Sequence, residues 1–129
     1  MKIIDGKGEV MGRLASYAVK EALKGEEIAI LNCDQVLISG NFKMIEADFL
    51  QKRQRGLYAQ KGPYHHKTSE KIVKRAIRGM VPDHREGRGR EAFKRIKCYN
   101  KVPKEFEGKD IIKFGSDKKG KYFKVKEFT

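Results

Sequence analysis

The chain has 129 residues, 39% of them hydrophobic, with 30 Lys and Arg against 17 Asp and Glu for a formal net charge of +13. That is one domain's length with room for a core, and the longest unbroken apolar run, Ile28-Ala29-Ile30-Leu31, is far too short to span a bilayer. Met1-Lys2-Ile3-Ile4-Asp5 contains no apolar signal region and two cysteines make no disulfide framework, so a cytoplasmic protein is expected.

Lys2-Ile3-Ile4 reads as a short strand, broken by the turn residues Asp5-Gly6-Lys7-Gly8. From Gly12 the period becomes helical: Leu14, Ala15, Ala18, Val19, Ala22 and Leu23 share one face, and Lys24-Gly25 supplies a C-terminal stop. Glu27 to Asn32 reads as a buried strand, so strand, helix and strand predict a βαβ unit with parallel pairing. Val36-Leu37-Ile38 is a second β-like run closed by Ser39-Gly40-Asn41. Asn41 then caps a helix with Phe42, Ile45 and Phe49 on its inner face, and Met44 and Leu50 could widen that face. The helix ends in the basic run Lys52-Arg53-Gln54-Arg55-Gly56.

Residues 56–67 read as a loop, after which Thr68 caps a helix with an apolar stripe of Ile72, Val73, Ala76, Ile77 and Met80. Gly79 and Pro82 end that helix. Residues 83–90 place Arg85, Arg88 and Arg90 among glycines that let the backbone approach a partner. A shorter helix over about 89–95 and a strand at Ile96-Lys97-Cys98-Tyr99 follow, closed by Pro103. Ile111 to Phe114 could be a strand or a packed arm, and Tyr122 to Phe128 either an edge strand or an extended arm lying on a partner. The expected organisation is one domain over 1–129, with a core to about 103 and a C-terminal arm or extra elements over 104–129.

The charge is concentrated. Residues 1–50 are net −2 and residues 105–129 net +2, whereas residues 51–104 carry 17 basic and 4 acidic side chains. Crowded like charges disfavour a compact state unless a partner neutralises them, and nucleic acid is the commonest intracellular polyanion. A solvated face that merely aids solubility needs less charge than this, and the large apolar face of a membrane-surface helix is missing. The loop mixes Lys61 and Lys67 with Tyr58, Tyr64, His65 and His66, the residue types on which RNA modules stack unpaired bases and hold phosphates. A Pro-Gly turn with incidental rings is the plainer alternative. The helix after it turns Lys71, Lys74, Arg75 and Arg78 away from its apolar stripe. Candidate RNA contacts are therefore Lys61, His65, His66, Lys67, Arg78, Arg85, Arg88 and Arg90, with the outer helix cations Lys71, Lys74 and Arg75.

Catalytic and metal patterns are sparse. Gly6-x-Gly8-x-x-x-Gly12 invites a phosphate-cradling loop, but it departs from the dinucleotide fingerprint, and the alternative is a tight turn packing helix on sheet. Cys33 and Cys98 read as buried small hydrophobes. His65, His66 and His84 lack zinc-site spacing, and no nucleophile, base and orienter fall together. A DNA-binding reading shares the charge but lacks a helix-turn-helix or zinc-finger pattern.

Gly12-Arg13-Leu14-Ala15-Ser16, Asn32-Cys33-Asp34, Ser39-Gly40-Asn41, Gly62-Pro63 and Arg78-Gly79-Met80-Val81-Pro82, then Gly87 or Gly89, Ile96-Lys97-Cys98-Tyr99 and Pro103, occur in this order across roughly residues 3–103. In that order they resemble the universal large-subunit ribosomal protein thirteen (L-thirteen) family. Val81, the short lead and Gly87-Arg88-Gly89-Arg90 look more like archaeal or eukaryotic members than bacterial ones. The resemblance implies a three-layer α/β/α fold with a mostly parallel four-stranded sheet. It implies a non-enzymatic, ribosome-bound protein that binds large-subunit ribosomal RNA beside neighbouring ribosomal proteins and supports assembly. No cofactor, metal, membrane or small-molecule substrate is expected. Met80 is expected to pack in the core.

Overall fold

The computed structural model describes residues 1–55, 62–114 and 118–129. In chain order the elements are β1 (Lys2–Asp5), α1 (Met11–Leu23), β2 (Ile28–Leu31), a 3-10 turn at Cys33–Gln35, β3 (Leu37–Ser39) and α2 (Phe42–Gln54). Then come α3 (Ser69–Met80), α4 (Gly87–Arg95), β4 (Ile96–Cys98), a 3-10 turn at Lys104–Phe106, β5 (Tyr122–Lys124) and a 3-10 turn at Val125–Phe128.

Parallel pairing follows from the βαβ connection through α1. Lys2 pairs with Ile28 and Asp5 with Leu31, while Ile28 to Ile30 pair with Ile96 to Cys98, giving the order β1-β2-β4. β2 is central and all four of its residues are buried, which is why it reads as an unbroken apolar run. The expected fourth strand is not formed among the described residues: a single parallel bridge, Ile4 with Ile112, stands beside β1. β3 does not extend this sheet. Asn32 adopts a left-handed conformation (φ 55°), and the 3-10 turn after it carries the chain away, so that β3 pairs antiparallel with β5.

Alternation along β1 and β2 divides the core. Ile4, Ile28 and Ile30 pack with Leu14, Ala18 and Ala22 of α1, Val73 and Ile77 of α3, and Ala92 of α4. Ile3, Ala29 and Leu31 pack instead with Phe106, backed by Tyr99, Val102 and Ile111. Helices therefore cover one face, and the irregular segment 99–111 covers the other. The small residues of the α1 stripe let α3 and α4 come close. Glu21 is outside the apolar stripe of α1 yet buried, and Lys2 and Lys24 both reach its carboxylate, Lys24 at 2.9 Å. Those hydrogen bonds, that from Lys2 first, hold the Glu21 carboxyl below its ordinary range, and the bond to Glu21 raises Lys2 correspondingly.

Several local expectations change. Met80 is 45% exposed and Val81 is the buried residue, because α3 ends at Met80, one residue past Gly79, with Met80 outward and Val81 turned into the core. α4 starts at Gly87, two residues before the expected start, so Arg88 joins Arg90 on the helix. Residues 122–124 take the strand alternative, but 125–128 close as a 3-10 turn: Val125 and Phe128 are buried, and the Val125 N–H donates to the Val36 carbonyl at 2.8 Å. The register of β2 with β4 brings Cys33 and Cys98 together. The neighbouring Cys98 thiol, then burial, pushes the Cys33 thiol up, so it stays protonated, and its Sγ donates to the Ile30 carbonyl at 3.7 Å.

Candidate nucleic-acid interface

α3 builds the surface. Ile72, Val73 and Ile77 are buried against the sheet, which forces Lys71, Lys74, Arg75 and Arg78 toward solvent. The segment Gly62–Lys67 lies beside this cationic face, held where Arg75 Nη1 donates to the Tyr64 carbonyl at 2.8 Å. Between that segment, α3 and α4 runs a groove of about 490 Å³. Its cations are Lys71, Lys74, Arg75, Arg78 and Arg85, its rings are Tyr64 and Phe93, and no carboxylate lines it. The Lys74 ammonium sits 5.0 Å from the centre of the Phe93 ring.

A second groove of about 260 Å³ adjoins the first through His66, Lys71 and Arg75. Met11, Phe49, Ile72 and Ala76 form its apolar lining, and Lys52 and His65 complete it, again without a carboxylate. Partial burial, then the charges of Arg75, Lys52 and Arg55, push His65 below its ordinary pKa against a small opposing effect of Asp48. Its imidazole is therefore neutral at neutral pH. A bound phosphate would offset the cationic repulsion. The arrangement can neutralise a polyanion; among the described residues, no three His, Cys, Asp or Glu side chains gather to hold a metal.

Of the eleven residues singled out from the sequence, His66, Lys71 and Arg75 line both grooves. Lys74, Arg78 and Arg85 line the first and His65 the second. Lys67, Arg88 and Arg90 are exposed and line neither groove. Lys61 lies outside the described residues, as does Tyr58. Lys52 and Phe93 were missed as site residues. Lys52 comes from α2 and Phe93 from α4, and only tertiary packing brings them to α3. Tyr64 was legible as a stacking ring in its loop, and it faces the first groove.

From Gly6 to Glu9 the backbone N–H groups of the glycine loop are already engaged within the protein. The Gly6 N–H donates to the Leu31 carbonyl at 2.9 Å, that of Lys7 to Asp5 Oδ1 at 3.0 Å, that of Gly8 to the Gln35 carbonyl at 3.2 Å, and that of Glu9 to the Gly6 carbonyl at 3.2 Å. A Cβ on Gly6 would lie 2.8 Å from both the Leu31 carbonyl oxygen and a Val36 methyl. The glycine is there for close packing, the turn alternative. Among the described residues no helix is long and apolar enough to cross a membrane.

Residues 1–105 match the family model described as ribosomal protein L13. The large ribosomal subunit protein uL13 of Methanosphaera stadtmanae is 41% identical over 113 residues, covering 85% of this chain and 79% of the relative. That of Methanopyrus kandleri is 42% identical over 109 residues, 84% of this chain and 67% of the relative. The Caenorhabditis elegans protein of the same description is 39% identical over 108 residues, 81% of this chain and 52% of its own longer sequence.

Proposed function

Because the chain belongs to the ribosomal protein L13 family, we propose that it is a structural, non-enzymatic constituent of the large ribosomal subunit in the cytoplasm, where it binds ribosomal RNA beside neighbouring ribosomal proteins and supports assembly. The observation that carries the RNA contact is the pair of adjoining grooves along α3, lined by cations and by no carboxylate. Lys61, His65, His66, Lys67, Lys71, Lys74, Arg75, Arg78, Arg85, Arg88 and Arg90 are the proposed RNA-facing set. Seven of them lie around the two grooves; the rest extend the same basic segment.

Residues 1–129 form one domain in this reading, with 104–129 an extension that closes on the core. The buried Phe106, Val125 and Phe128 favour it. A three-layer arrangement with a four-stranded sheet is the family-level reading. It is favoured by cover on both faces of the sheet and by the bridge at Ile112.

Phosphate neutralisation releases counterions, so affinity for large-subunit RNA should fall steeply with salt. If the five cations of the first groove each meet a phosphate, the log-log slope is about −4. Filter binding across a salt series reads it. Replacing Arg78 and Arg85 with Glu should lower affinity and flatten the slope while the circular dichroism spectrum stays native. Binding indifferent to salt would contradict the reading.

A further inference from the structure

We propose that the groove between Gly62–Lys67, α3 and α4 holds one unpaired RNA nucleotide, its base stacked on Tyr64 and its flanking phosphates on the cations around it. The inference rests on the RNA-binding reading and adds the form of RNA that this groove selects.

Tyr64 carries the argument. Its side chain is among the most exposed large apolar groups of the protein, at 62%, yet its backbone is held. Just before Tyr64, the Pro63 ring fixes its own φ, and Gly62 turns the chain at φ +112°, where other residues are strained. The Arg75 guanidinium grips the Tyr64 carbonyl at 2.8 Å. An exposed ring on a fixed backbone loses little freedom when a flat partner covers it. The second ring of the groove, Phe93, already has the Lys74 ammonium over it at 5.0 Å, which leaves Tyr64 as the open platform.

Size and charge select the partner. A groove of about 490 Å³ is within the range of small-ligand sites. In a duplex the base faces are stacked on one another, and protein meets chiefly 2′-hydroxyls, phosphates and base edges, so a ring can stack only on a base that is unpaired or extruded. Lys71, Lys74, Arg75, Arg78 and Arg85 supply positive charge on α3 and next to it, where the phosphates on either side of such a base would pass.

The chain has no tryptophan, so Tyr64→Trp places a single indole at the platform. Full-length protein carrying it would be titrated with an oligoadenylate of about twelve nucleotides and with an RNA duplex of similar length. Stacking predicts that the oligoadenylate quenches the indole by about half or more, and that the duplex binds with little quenching. In a second variant, Tyr64→Ala, affinity for the oligoadenylate should fall about ten-fold with an unchanged salt slope, while duplex affinity stays within about two-fold. The thermal midpoint should not move, because Tyr64 is exposed. Equal losses on both RNAs, or none on either, would overturn the proposal, as would quenching by an acidic peptide but not by the oligoadenylate. Failure of the unaltered chain to bind either RNA would overturn the broader RNA-binding reading and this one with it.

Discussion

Gly89 shows how one atom can decide a local fold. A Cβ there would lie 1.7 Å from the Pro82 carbonyl oxygen and 2.6 Å from that of Asp83, both backbone atoms that cannot swing aside. The glycines of Gly87-Arg88-Gly89-Arg90 read from sequence as sites of close approach to a partner. At Gly89 the approach is real, but the partner is the chain's own turn between α3 and α4. Gly89→Ala should therefore destabilise the protein by about 3 kcal/mol, at the upper end of overpacking costs. Gly12→Ala, which meets nothing within 4 Å at the start of α1, should be neutral or stabilising. Thermal unfolding of both variants checks this, and equal midpoints would contradict it. Residue-level reading fails where the deciding neighbour is remote in sequence. Glu21 lies off the apolar stripe by periodicity, and only β1 brings Lys2 to cover it. Met80 fits the stripe by count, and the end of α3 turns it out.

At the scale of elements, periodicity found the helices and most strands. α1 is nearly complete in its heptad-like spacing, and Asn41 caps α2 as its residue type suggests, accepting from the Lys43 N–H at 3.1 Å. Phe42, Ile45 and Phe49 are the inner face of α2 as expected, but none is fully buried. The reason is that α2 packs on the C-terminal turn more than on the sheet. Phe128 lies 5.1 Å from Phe42 and 5.6 Å from Phe49 between ring centres, and Arg53 Nη2 donates to the Phe128 carbonyl at 2.6 Å. No local signal announces that pairing, or the pairing of β3 with β5. It follows that Phe128→Ala, at a site only 4% exposed, should cost about 3–5 kcal/mol. It should also loosen α2 before the parallel sheet. Amide hydrogen exchange reads both; α2 amides as well protected as those of β2 in the variant would contradict the clamp.

For the whole molecule, the partition of charge carried more functional information than any motif for catalysis. Residues 51–104 hold the net imbalance, and α3, the Gly62–Lys67 segment and Arg85 place much of it around two adjoining grooves. The candidate surface was legible because cations on one helix face are a local pattern. Lys52 and Phe93 were not, because α2 and α4 reach the grooves only after folding. Arg88 and Arg90 were read among glycines open to a partner, and on α4 they line neither groove. The ordered motifs of the family resemblance were legible across roughly residues 3–103, and the family match covers 1–105. As a member of the ribosomal protein L13 family, the protein is proposed to be a fixed part of the large ribosomal subunit, held by charge and shape against its RNA. Sedimentation of native lysate on a sucrose gradient, with fractions probed for this chain before and after a salt wash, tests it most directly. Co-migration with the large subunit that survives moderate salt and is released at high salt is expected. Recovery only at the top of the gradient, as a free small protein in low salt, would contradict it.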